Sequence, residues 1–224
     1  METSSILKAA KNGKLESVKN LHKEGIPLDT ATKNGSTPLI LAAQNDDFEM
    51  VKYLISHGAE VNTSTKLSGT ALNKAAENGN MEMVRHLLNK GAEPQGLSLI
   101  FASRAGHNGI AKTLIEHGAP VDAAQRWGQT ALMQASRDGH LAVVKLLLDE
   151  GANVRLKDKN GETALTIALD NDQIEIGQLL RKAGAKVVKK KDDDPLLDED
   201  IDENDIEFEE LDQIPEDDID LEDD

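Results

Sequence analysis

Apolar positions in this chain recur in short bursts at helical spacing, and the bursts themselves repeat. After Thr37, the residues Leu39, Ala42 and Ala43 share one face of a helix; beyond a polar break, Val51, Leu54 and Ile55 share one face of a second. The first burst returns as "TPLILAAQND", "TALNKAAENG", "LSLIFASRAG", "TALMQASRDG" and "TALTIALDND", starting at residues 37, 70, 97, 130 and 163. The second follows as "FEMVKYLISHGA", "MEMVRHLLNKGA", "GIAKTLIEHGA", "LAVVKLLLDEGA" and "IEIGQLLRKAGA". An earlier copy, "SSILKAAKNGKLESVKNLHKEGI", fits the same register from Ser4, which makes six copies. Helices this short are marginal alone, so each copy must bury its apolar face against its neighbours.

Turn residues punctuate the pattern where helices must stop. Gly58, Gly91, Gly118 and Gly151 sit just past the second helix of a copy, where a left-handed C-cap favours glycine. Gly79, Gly106 and Gly139 sit between the two helices, and Asp46 and Asp172 stand at that register elsewhere, a conformation Asp tolerates at some cost. The copies step by 33, 27, 33 and 33 residues. From the G-A turn to the next helix start is 12 residues four times but six between Gly91 and Leu97. "GAEPQGL" is too short for the excursion the other copies make, and Pro94 removes a backbone donor. The projection between the third and fourth copies is therefore expected to be missing. Two readings stand: a tolerated surface deletion, or a notch that receives part of a partner.

The 33-residue step, the TPL/TAL helix start and the G-A-x-V-N/D turn ("GAEVN", "GAPVD", "GANVR") resemble the ankyrin repeat family over about residues 4–188. The resemblance implies an all-α solenoid of stacked antiparallel helix pairs with β-hairpin fingers projecting at right angles. The implied repeats run 4–33, 34–66, 67–94, 95–126, 127–159 and 160–188, with a charge-switch linker and acidic tail over 189–224. One position departs from the family. Where it usually has a His that hydrogen-bonds between repeats, this chain has Ile40, Asn73, Ile100, Met133 and Thr166. Those bonds are expected to be absent.

The resemblance also implies binding of other proteins through the finger tips and the first-helix face, the concave side. Carried over residue by residue, the tips are Lys33 and Asn34, Lys66 and Leu67, Arg126 and Trp127, and Lys159 and Asn160. The first-helix positions are Gln44 and Asn45, Glu77 and Asn78, Arg104, then Arg137 and Asp138. Arg104 and Arg137 hold one register in consecutive copies. Arg and Trp are enriched at binding hot spots, though a solvated face with incidental Arg is the alternative. Trp127 is the single Trp. It either fills the gap left by the short finger or stands out as an anchor for a partner.

Composition divides the chain at "KKKDDD", residues 189–194. Residues 192–224 hold 20 acids and no Lys, Arg or His; the remaining 21 acids face all 25 bases in residues 1–191, leaving a body at +4 in a chain of net charge -16. Such an arm repels itself, so disorder is the default. It carries no Ser, Thr or Tyr to phosphorylate, but apolar residues are spaced through it, and Phe208 with Leu211 at i, i+3 suits a transient helical turn. The arm is expected to capture a basic partner or to mask the body's own face. Its charge argues against direct binding of nucleic acid.

Several classes lose support. There is no Cys, hence no disulfide and no thiolate metal site. No nucleotide-binding, nucleophile-elbow or H-E-x-x-H signature occurs. His107 and His140 share one register and His57 and His117 another, as repeat positions do. No enzyme activity and no cofactor are expected. Aromatics are 2% of the chain, so the core must be Leu, Ala, Ile and Val, which suits closely packed helices. No apolar run approaches the ~20 residues that span a bilayer, and the start "METSSILKAAKNGKLESV" has no apolar signal region. A monomeric cytoplasmic interaction protein with a basic partner is expected, the nucleus being the other open compartment. Competing readings are a chaperone or inhibitor shielding a basic client (a ribosomal protein, histone or nuclease toxin), an enzyme subunit, and a structural spacer.

Overall fold

The computed structural model describes residues 5–187. The chain divides into Met1–Lys190 and Lys191–Asp224. The acidic arm, including Phe208 and Leu211, lies outside the described residues.

Six helix pairs follow one another: α1 (Ser5–Lys11) and α2 (Leu15–Lys23), α3 (Pro38–Gln44) and α4 (Phe48–Ser56), α5 (Ala71–Asn78) and α6 (Met81–Asn89), α7 (Gly96–Arg104) and α8 (Asn108–Glu116), α9 (Ala131–Arg137) and α10 (Leu141–Asp149), α11 (Ala164–Asp170) and α12 (Ile174–Lys182). The Thr of each TPL/TAL motif starts its helix. Thr37, Thr70, Thr130 and Thr163 are N-caps whose side-chain oxygen accepts the N–H of Ile40, Asn73, Met133 and Thr166. All four are at most 8% exposed, so the cap also saves buried N–H groups from being orphaned.

Apolar columns run along the stack. Leu39, Leu72, Leu99, Leu132 and Leu165 form one at 0–3% exposure; Leu54, Leu87, Leu114, Leu147 and Leu180 form another at 0%. Burial of each such side chain contributes about 1.5–3 kcal/mol. Alanines at 42, 43, 75, 76, 102, 135 and 168 are fully buried in the first helices. Their small size lets those helices approach more closely than the second helices do.

Asp46 and Asp172 take φ of 58° and 57°, in the left-handed region that the glycines of the same register occupy. The fingers differ from expectation. They are not β-hairpins: among the described residues there is no strand, only an isolated bridge between Ala124 and Thr130. Each finger is a tight turn held by two backbone bonds: Thr32 N donates to Ser36 O at 2.9 Å and Gly35 N to Thr32 O at 2.9 Å, and the same two bonds recur at Thr65–Gly69, Gln125–Gln129 and Asp158–Glu162. Among the described residues only the finger around Trp127 adds a pair outside its turn, the Ala124–Thr130 bridge.

The shortened link between the third and fourth copies makes no finger. Instead α7 begins at Gly96, two residues ahead of its register, with Gln95 at the N-cap offering no side-chain bond. A β-carbon at Gly96 would overlap that of Ala123, so the base of the following finger leans onto the start of α7.

Candidate protein-binding face

Two side-chain devices join consecutive copies, and both end on the same carbonyls. The Asn45 amide donates to Ala10 O at 3.2 Å and Lys11 O at 2.9 Å. The Asn78 amide donates to Ala43 O at 3.0 Å and Gln44 O at 3.4 Å. Each thus satisfies the open C-terminal carbonyls of the preceding first helix. The next two copies have Ala105 and Asp138 at that register, and the histidines take over. His107 reaches Glu77 O at 3.2 Å and His140 reaches Arg104 O at 2.9 Å, each as the Nε2–H tautomer. A β-carbon at Gly79 or Gly106 would meet these rings at 2.7 and 2.6 Å, so glycine there serves close approach as well as φ. The bonds of the family His position are absent as expected, but other residues join the repeats. At the departing family position, Ile40, Ile100 and Met133 are buried, while Asn73 and Thr166 bond within their own copies, Asn73 to Ser68 O at 3.0 Å and Thr166 in a capping box with Thr163.

On the first-helix face, Glu77 is the hub. Lys74 Nζ lies 2.9 Å from one of its oxygens and Arg104 lies 2.6 Å from the other. Phe101 sits between those cations, its ring centre 6.0 Å from Lys74 Nζ and 5.1 Å from the Arg104 guanidinium. Sequence reasoning named Glu77 and Arg104 but missed Lys74 and Phe101; the aromatic at a register otherwise held by Leu41, Lys74, Gln134 and Ile167 was the available signal. Gln44 and Asp138 are exposed and Arg137 is half-buried.

On the finger tips, Lys33, Asn34, Lys66, Arg126, Lys159 and Asn160 are exposed. Neighbouring tips are tied by one backbone bond where both exist: Lys66 N to Asn34 O and Lys159 N to Trp127 O, each 2.9 Å. Trp127 is 62% exposed, with Arg126 at 6.0 Å and Lys159 at 5.7 Å from its ring. It does not fill the gap of the missing finger, because its backbone is tied to the following finger and its ring lies between the two cations. Leu67, on the near side of that gap, is 80% exposed. The gap is a cleft of about 570 Å³ floored by Leu97, Phe101, Ala123 and Ala124.

Two groups among the described residues have clearly shifted titration. The Lys19 ammonium holds the exposed Glu16 carboxyl below its usual range by hydrogen bond and charge. Burial, then the Lys90 and Lys52 charges, push His86 below its usual value, while Glu82 opposes them weakly. Among the described residues no group of three His, Cys, Asp or Glu could hold a metal ion. None of their helices is long and apolar enough to cross a membrane.

Residues 6–97 and 99–191 match a family model described as ankyrin repeats in three copies. The crystal structure of the human ASB11 ankyrin repeat domain is similar, with a TM-score of 0.72 and 27% identity over 84% of this chain and 86% of that one. So is an ankyrin repeat domain from Acinetobacter baumannii AYE, with a TM-score of 0.68 and 32% identity over 81% of this chain and 98% of that one. No curated protein sequence matches. Ankyrin repeat domains are in general non-enzymatic protein–protein interaction modules. With its helix pairs, their register and both halves of the stack accounted for, the chain belongs to the ankyrin repeat family.

Proposed function

We propose that this chain binds a protein partner through its first-helix and finger-tip face, while the acidic segment 192–224 captures a basic region of the partner or masks the face until the partner arrives. The observation that carries the reading is Trp127, a large ring left 62% in solvent between two cations at a finger tip. Trp and Arg are among the residues most enriched at hot spots. The proposed contacts are Lys33, Asn34, Gln44, Lys66, Leu67, Glu77, Arg104, Arg126, Trp127, Arg137, Asp138, Lys159 and Asn160. Asn45 and Asn78 contribute only through their carboxamide oxygens, since their N–H groups are engaged. The repeat domain over 1–188 and the arm over 189–224 act as separate parts of a monomeric, cytoplasmic or nuclear protein without catalysis or cofactor.

The second reading is a chaperone or inhibitor that shields a basic client. It is favoured by one observation, the 20 acids without a single base in residues 192–224. A pull-down at low and moderate salt with the full chain, its Trp127→Ala variant and a form ending at Lys191 separates these readings. Loss of the partner with Trp127→Ala supports the face. Basic proteins recovered only with the arm, and lost with salt, support shielding. Recovery indifferent to both changes overturns the proposal.

A further inference from the structure

We infer that the cleft left by the missing finger is a docking slot for an extended acidic segment of a partner protein that carries an apolar or aromatic anchor. This rests on the proposed binding face and names the ligand chemistry for one part of it. Three separate features converge there.

The first is charge. Lys66 stands on one wall and Arg126 on the other, and among the described residues no Asp or Glu lines the cleft. Both bases are exposed, and neither has an ion pair among the described residues. The second is apolar surface. Leu67 is 80% exposed at the rim, and Leu97 and Phe101 are half-buried in the floor. An acidic chain with one bulky apolar side chain meets both conditions.

The third is the backbone. At the two intact junctions the tip of one finger donates an N–H to the preceding tip, Lys66 to Asn34 and Lys159 to Trp127. The same register assigns two groups to the missing finger. It would have donated to Leu67 O and accepted from Arg126 N–H. Among the described residues neither group has a hydrogen-bond partner. They belong to residues on opposite sides of the cleft, one an acceptor and one a donor, and an extended peptide offers the matching donor and acceptor from its own backbone. Steric evidence agrees that the slot is open on the Leu67 side. A β-carbon at Gly35 or Gly128 would crowd the backbone of the next finger at 3.1 Å. The equivalent residue beside the cleft is Ser68, which keeps the left-handed φ of 58° and has no finger against it. Its carbonyl is held instead by the buried Asn73, so the near wall is braced from its own helix.

The test uses the isotopically labelled full chain and a synthetic nine-residue probe of alternating Glu with Phe at its centre. Amide shifts confined to Leu67, Phe101 and Arg126 with saturable binding are the expected result. The Lys66→Glu, Arg126→Glu double variant should weaken the probe by roughly tenfold or more, since two attractive contacts become repulsive. Inserting six residues after Pro94, to restore the full finger, should abolish it. A probe with Lys in place of Glu should not bind. Shifts centred elsewhere, affinity unmoved by either variant, or no binding to the full chain would each overturn the inference. So would notch amides that change when the chain is ended at Lys191, because the occupant would then be the chain's own arm. If the partner of the pull-down still binds the finger-restored variant while Trp127→Ala loses it, the binding face stands and only the slot fails.

Discussion

At the junction of α5 and α7, Leu72, Ala75, Leu99 and Ala102 are buried as fully as their counterparts at the junctions on either side. On the finger side of the same junction a cleft opens between Leu67 and Arg126. Six residues are missing from the link, yet the burial of the helix layers is unchanged. Stacking needs only that each helix pair present its apolar face in register, and any link that spans the distance suffices. Where neighbouring fingers both exist they are tied tip to tip by a single backbone bond, and their tips are exposed. A repeat array can therefore lose a finger at small cost in stability and gain a differently shaped surface.

The sharpest way to break that comparison is to damage each side in turn. Leu99→Ala in the layers should cost about 2–5 kcal/mol in chemical denaturation. If it cost no more than a surface change, the layers would not carry the fold. Next comes the hinge between the two regions. Gly96→Ala drives a methyl into Ala123 and should cost about 1–3 kcal/mol, through overpacking at the base of the fourth copy's finger. The clasps between copies should be smaller: Asn78→Ala and His140→Ala should each cost about 1 kcal/mol. They should speed hydrogen exchange at the copy boundary they bridge more than elsewhere. On the finger side, Leu67→Ala should change stability by less than about 0.5 kcal/mol, and a larger loss would mean that Leu67 packs in solution.

The last prediction concerns pH and a residue of the second-helix row. His86 is held below its ordinary value of about 6.5 by burial and by Lys90 and Lys52. Its Nε2 is buried without a partner among the described residues, beside the Phe48 ring at 5.5 Å. A base whose pKa falls on folding binds more protons when unfolded, so its contribution is present above about pH 6.5 and is lost as pH falls below it. Denaturation midpoints between pH 7 and pH 5 should therefore fall less in His86→Gln than in the parent. Equal slopes would show that His86 stays protonatable in the fold.

Much of the helical architecture was legible because its causes are local. The Thr caps, the left-handed glycines and Asp46, and the six-residue link all declare themselves within a few positions. The candidate face was legible only in part. Trp127 was placed at a tip, but whether it filled the gap or faced solvent depended on which neighbour its finger joined. Asn45 and Asn78 were read as surface contacts, and their clasping role was hidden because the carbonyls they reach are 34 or 35 residues back. Ser68, standing where the other fingers have glycine, was a visible sign of the open slot, but its meaning required the neighbouring finger to be seen as absent.

From sequence alone follow the two-helix unit, its count, its period and the position of the interruption, because these depend on backbone preferences and apolar spacing along a few turns of chain. Which groups meet between units was decided by the tertiary structure. The Glu77–Arg104 pair, the exchange of Asn clasps for His clasps, and the Leu67 carbonyl and Arg126 N–H left without partners among the described residues all depend on the offset and rotation of one stacked unit against the next. That offset is set by how buried side chains of different copies pack together, and no local window of the sequence contains it.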